Sequence, residues 1–213
     1  MRAAGSALGA FLALGALLGG CGGSTASAPG IDGGATDGAP SPAAGALGLS
    51  VEVRTGALAG LSFSSGDLEL KNVALLGDVA ANDRTTVALA QVAVPGRAGF
   101  TFPDAPYGLY SRVHASVDDV HLTGSWQGTP LSVSLEIQFI SIDVRGPTLD
   151  YEPMQGAHFV LTADVSMWFD AATLDAATLD NGTITIDYLH NLDASTKLLL
   201  ALQRGFTVDG GVE

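Results

Sequence analysis

LSVSLEIQF, residues 131–139, puts Leu131, Val133, Leu135, Ile137 and Phe139 at alternate positions, with Ser132, Ser134, Glu136 and Gln138 between them. A helix would scatter these apolar residues around its circumference, whereas a strand gathers them on one face. The phase then flips, because Ile140, Ile142 and Val144 form the next apolar set. A bulge near Phe139-Ile140, or a strand passing from one sheet to another, would produce such a flip.

The same alternation recurs along the chain. GAHFVLTADVSMWF (156–169) aligns Phe159, Leu161, Ala163, Val165 and Met167, and TITIDY (183–188) aligns Ile184, Ile186 and Tyr188. Further strands are expected near 50–54, 58–63, 68–76, 85–94 and 108–123. Turn residues separate them at Ser65-Gly66-Asp67, Gly77-Asp78, Pro95-Gly96, Gly124, Gly128, Gly146-Pro147 and Asn181-Gly182. Short strands with regular turns predict a mainly β fold, an antiparallel β-sandwich. An up-and-down barrel is the alternative, while an outer-membrane barrel would carry aromatic girdles that are missing here.

Two helical interruptions are expected. DAATLDAATLD (170–180) opens on Asp170, a good N-cap, and repeats itself after five residues. DASTKLLLALQRG (193–205) has a capping start, a basic last turn and Gly205 as a stop. Leu198, Leu200, Leu202, Phe206 and Val208 also alternate, so a strand competes with this second helix.

The domain from residue 49 to 213 follows a stretch of different composition. Residues 21–48 are mostly Gly, Ala, Ser, Thr and Pro, with Asp32 and Asp37, and offer almost nothing to a core. Such a segment reads as a flexible linker with a reach of roughly 25–30 Å. Before it, residues 1–20 hold Arg2 and then an uncharged run from Ala3 to Leu18, diluted by Gly5, Gly9 and Gly15. That run is short for a membrane span, which needs about 20 strongly apolar residues. A positive start, a brief apolar centre and small residues at its end describe a cleaved signal peptide.

Leu18-Gly19-Gly20-Cys21 resembles the lipobox of bacterial lipoproteins. The resemblance implies that Cys21 is lipidated, that the bond before it is cut, and that membrane lipid is the anchor partner. Small Gly19 and Gly20 suit a narrow peptidase site, and Leu18 an apolar subsite. Cys21 is the sole cysteine, so disulfides within one chain are ruled out and packing alone must hold the domain. The resemblance also bears on sorting: Gly22 stands where an inner-membrane retention signal would have Asp, which favours the outer membrane.

Charge narrows the partners. Nine basic residues against 22 acidic ones give a formal charge of −13. Such a surface repels nucleic acid and anionic lipid.

Motifs of chemistry are sparse. No HExxH, P-loop, GxSxG or dinucleotide fingerprint occurs, and no cofactor is expected. His114 and His121 lie seven apart in HASVDDVH (114–121), on opposite faces of a regular strand. Asp119 and His121 share a face and are the candidate metal pair, while Asp118 aligns with His114. His158 and His190 stand before an apolar strand and a helix. Asp170, Asp175 and Asp180 scatter on a helix and match no calcium loop. Phe100, Phe102, Tyr107 and Tyr110 cluster around Pro103–Pro106, and Trp126 and Trp168 lie on later elements. Exposed aromatics can stack on sugars or anchor a partner, so Tyr107, Tyr110 and Trp126 are the ligand candidates. Core packing is the competing reading of each.

PYGLYSRV, then GSWQG, then VSMWF resemble bacterial envelope lipoproteins with an immunoglobulin-like or transthyretin-like sandwich, over about Asp67 to Phe206. The resemblance implies the sandwich and transfers no catalytic residue. The expectation is a lipid-anchored envelope protein with a non-enzymatic binding or structural domain, meeting an envelope protein or glycan. An enzyme acting on envelope polymers or glycans, or a periplasmic metal-binding protein, are the alternatives.

Overall fold

The computed structural model describes residues 45–78, 83 and 85–212. The leader with Leu18, Gly19, Gly20 and Cys21, and the linker up to residue 44, lie outside the described residues, as do the side chains of Gln138 and Phe139. The described chain is mainly β. Its strands are β1 (Leu47–Arg54), β2 (Leu61–Gly77), β3 (Thr85–Ala93), β4 (Gly96–Phe102), β5 (Gly108–Trp126), β6 (Thr129–Tyr151), β7 (Ala157–Asp164), β8 (Leu179–Asp180), β9 (Thr183–Ile186) and β10 (Phe206–Val212). They form a four-stranded sheet ordered β10-β7-β1-β4 and a six-stranded sheet ordered β3-β2-β5-β6-β9-β8.

The sheets are mixed, which corrects the antiparallel expectation. β1 runs parallel to β7, and β6 runs parallel to β9. The physical reason is the chain path. Parallel neighbours need long crossovers rather than tight hairpins, and here most strands of the large sheet intervene between β1 and β7, while β7 and a helical segment intervene between β6 and β9.

Alternation puts one face of each sheet into a common core. Leu47, Leu49, Val51 and Val53 of β1 are all buried, as are Phe159, Leu161 and Ala163 of β7. Across from them lie Leu131, Val133, Leu135 and Ile137 of β6, with Val113, Val117, Val120 and Leu122 of β5. The phase flip in β6 is a real irregularity. Val117 pairs with Ile140 but Asp119 with Glu136, so β6 spends more residues than β5 over the same span. Beyond it Ile142 is buried again.

Several glycines read as turns lie inside strands. β2 runs through Gly66, β5 through Gly124 and β6 through Gly146. Each marks a close approach: a Cβ on Gly124 would sit 2.0 Å from the Ser62 carbonyl, and one on Gly66 2.4 Å from that of His121. Strand glycines serve this purpose as often as they break pairing. The other glycine signals do turn the chain. Gln127-Gly128 joins β5 to β6 and Asn181-Gly182 joins β8 to β9, each pair with positive φ at both residues, the combination that hairpins favour.

Helices gather at one end. A 3-10 turn over Val165–Trp168 follows β7, capped by Asp164, whose side chain accepts from Ser166 N. α1 (Ala171–Asp175) is capped by Asp170, which accepts from both the backbone N and the hydroxyl of Thr173. The helix expected over 170–180 is therefore shorter, because Leu179 and Asp180 join β9 as β8. α2 (Leu192–Ala201) continues as a 3-10 turn to Arg204, so the helix prevails over the strand at 193–204. Its buried stripe is Ala194, Ser195, Leu198 and Leu202, a helical spacing that leaves Leu200 71% exposed. Among the described residues no helix is long and apolar enough to cross a membrane.

Candidate functional site

Polar clusters and a groove are the candidates for chemistry. The first cluster lies on the outer face of the large sheet. β5 bulges at Asp118, because Glu69 pairs with Asp119 while Leu70 pairs with Val117. The bulge turns Asp118 and Asp119 to the same side, where both meet Glu69; one carboxylate oxygen from each lies within 4.8 Å of the others. Lys71 answers the charge, ion-paired to Asp118 and 3.8 Å from Glu69. Burial, a hydrogen bond to Asp118 and the nearby charges of Asp119 and Asp118 raise the pKa of Glu69.

His121 is not part of this cluster. It pairs with Asp67 and Ser134 across the strands, and its Nδ1 lies 3.2 Å from Ser134 Oγ. The candidate pair Asp119 and His121 thus shares a face without converging on one point. The bulge also brings His114 and His121 onto the same face, which a regular strand would forbid. At about 3.3 Å per residue they still stand roughly 20 Å apart. Asp118 shares the outer face with His114, as alternation with the buried Val113, Ala115 and Val117 requires, and there it is held by Lys71.

The second cluster joins β9 to α2. Asp187 Oδ1 accepts from the backbone N of Leu189 at 2.7 Å and of His190 at 2.6 Å, and His190 Nδ1 lies 3.0 Å from both carboxylate oxygens. Asp187 therefore raises the His190 pKa, and His190 in turn lowers that of Asp187. Asp180 is 4.0 Å from His190 Nε2. Asp170, Asp175 and Asp180 are separated in use: the first caps α1, the second holds Trp126, and the third faces His190.

The third cluster crosses the small sheet. Ser50 Oγ lies 3.0 Å from His158 Nε2 and accepts from Arg97 Nη2 at 3.0 Å. Sequence reasoning could not find this trio, since 108 residues separate Ser50 from His158. A serine beside an imidazole is half of a nucleophilic site. Here Ser50 is 2% exposed on a strand centre, with strands paired on either side of it. The trio is a cross-strand network rather than a reaction centre.

The aromatic candidates divide by burial. Tyr110 is fully buried and its hydroxyl donates to the Pro106 carbonyl at 2.7 Å. Trp126 is 4% exposed, and its Nε1 donates to Asp175 at 2.9 Å. Both are core residues with satisfied polar atoms, so neither offers a surface for stacking. Tyr107 is 58% exposed and rests on Tyr151, ring centroids 5.0 Å apart. Phe102 is buried and Phe100 packs half-buried against the core.

A groove of about 340 Å³ opens where the helices meet the end of the sheets. Trp168, Leu174, Ile186, Ala194 and Leu198 form an apolar floor, and Met167 and Leu200 stand exposed at its rim. Lys197 and Arg204 also line it, with Asp170 opposite. Lys197 Nζ is 2.9 Å from Asp193 and donates to Thr173 Oγ1 at 3.2 Å. Among the described residues Arg204 makes no ion pair, and the buried Trp168 Nε1 has no hydrogen-bond partner. Gly205 makes room for that indole, since a Cβ there would lie 2.2 Å from Nε1. The helical signal at 193–205 pointed to this region, but the groove needs three separate segments and has no sequence motif.

Compared with known proteins, the chain matches no family, no curated protein and no solved structure.

Proposed function

We propose that the chain is a lipid-anchored protein of the cell envelope whose β domain is a non-enzymatic binding module, with the groove at its helical end as the binding face. The anchor rests on Leu18-Gly19-Gly20-Cys21 behind an apolar leader, with Cys21 the sole cysteine. Gly22 supports placement at the outer membrane. Several acyl chains on one cysteine hold stably, whereas a single chain holds only marginally.

The observation that carries the binding half is the groove itself. Its volume of about 340 Å³ falls within the usual range of small-ligand sites, roughly 300–1,000 Å³, and its apolar floor with a few polar groups is their usual make-up. The histidine cluster, by contrast, is engaged with its own carboxylate and backbone, the Ser50 hydroxyl is held between His158 and Arg97, and Asp118 of the acidic cluster is held by Lys71.

The finer reading of the architecture is a sandwich of immunoglobulin-like or transthyretin-like kind. It is supported by the Tyr110 hydroxyl bond to the Pro106 carbonyl, four residues upstream at the start of a strand, a device familiar from such sandwiches.

The test of the anchor is metabolic labelling with palmitate in a bacterial host. Wild-type chain should take up label and Cys21→Ala should take up none; equal labelling of the two would end the proposal.

A further inference from the structure

We infer that the groove takes a single-chain amphiphile with an anionic head, a fatty-acid carboxylate in its simplest form, an inference that rests on the groove being the binding face. Its floor offers Trp168, Leu174, Ile186 and Leu198, with no charged group among them. The volume of about 340 Å³ sits at the small end of ligand pockets, enough for one chain of medium length and too little for a two-chain lipid.

The head group follows from the rim. In a chain with 22 acids and nine bases, two of the bases line this one groove. Lys197 is partly answered by Asp193, but Arg204 meets no carboxylate among the described residues. A guanidinium is a fork of donors matched to a carboxylate, and it is the rim group free to take one. Asp170 also lines the groove, where it caps α1 through Thr173 and sets its charge against Lys197, which leaves Arg204 as the rim cation without a carboxylate partner among the described residues. A cationic amphiphile would set its head against Arg204, and a neutral one would forgo the charge-assisted pairing that a carboxylate makes with it.

Full chain carrying Cys21→Ala is used throughout, so that no covalently attached acyl chain competes for the groove. The neutral fluorophore N-phenyl-1-naphthylamine reports whether the groove accepts an apolar guest. Ala201→Trp fills the groove, with circular dichroism checking that the fold is kept. Laurate, dodecanol and dodecylamine then compete with the fluorophore. The expected result is fluorophore binding that Ala201→Trp abolishes, and displacement by laurate with Kd on the order of 10 µM. Dodecylamine should be at least about tenfold weaker, and Arg204→Gln should weaken laurate about tenfold while leaving dodecanol unchanged. If the fluorophore binds but laurate competes no better than dodecylamine, the anionic ligand is overturned and the binding face stands. If the fluorophore does not bind, or binds equally to Ala201→Trp, the binding face falls and the ligand with it.

Discussion

Asn191 shows how much one side chain can hold. It sits at φ 51 before α2. Its Oδ1 accepts from Thr178 N at 2.7 Å and from the Thr178 hydroxyl at 3.1 Å. Its Nδ2 donates to the carbonyls of Thr178 at 2.9 Å and Thr185 at 2.8 Å. Asn tolerates the left-handed region better than most residues and carries both donor and acceptor. Asn191→Ala should cost about 2–3 kcal/mol, combining lost hydrogen bonds with backbone strain. Thermal unfolding checks this, and an unchanged midpoint would contradict the riveting role. Next to it, the His190–Asp187 pair carries a pH signature. The raised His190 pKa contributes stability below the ordinary value of 6.5, lost as pH rises through the folded pKa. The lowered Asp187 pKa contributes above 3.8, lost as pH falls through its folded value. Both contributions are present together between these two ordinary values. In an NMR titration His190 should therefore titrate above 6.5, and Asp187→Asn should bring it down; an identical midpoint in the two proteins would rule the pairing out.

At the scale of elements, bulges decide which side chains meet. Alternation in HASVDDVH puts Asp118 and Asp119 on opposite faces, and one extra residue puts them together beside Glu69. A carboxyl whose pKa is raised is destabilised in its charged form, so stability gains as pH falls through that pKa. Glu69→Gln should therefore stabilise the protein at pH 7 by a few tenths of a kcal/mol, and the gain should vanish in acid. Denaturant midpoints at the two pH values would show it, and destabilisation at pH 7 would mean that Lys71 outweighs the two aspartates. The sequence made the β6 flip near Phe139-Ile140 legible because apolar phase is a property of one strand. The β5 bulge was not legible, since both aspartates are polar and either face accepts them on pattern alone. α2 was legible through its caps and stop, although its leucines also alternate.

At the scale of the molecule, the long β6 links the two sheets. β6 pairs in the large sheet, yet at Gly146 it lies against β10 of the small one: a Cβ there would be 2.5 Å from Val208 Cγ1. β3 and β4 make the corresponding passage on the other side through Val94 and Pro95. Gly146→Ala should force β6 off β10 at a cost of about 1–3 kcal/mol, the range for overpacking a filled contact. A drop in melting temperature of roughly 2–10 °C is expected for a domain of this size, and an unchanged value would mean the two strands yield freely. The strand content, the helix after residue 192 and the turns at Gly128 and Asn181-Gly182 were determined by the sequence alone, whereas the alternation read through Val165 and Met167, and through Tyr188, overran the ends of β7 and β9. Periodicity, caps and turn residues are local, and neighbours along the chain suffice to express them. The parallel pairings, the turn-like glycines that became points of close approach, the burial of Tyr110 and Trp126, and the groove were decided only by the tertiary structure. Each depends on which distant segment arrives alongside, and no local pattern encodes that choice.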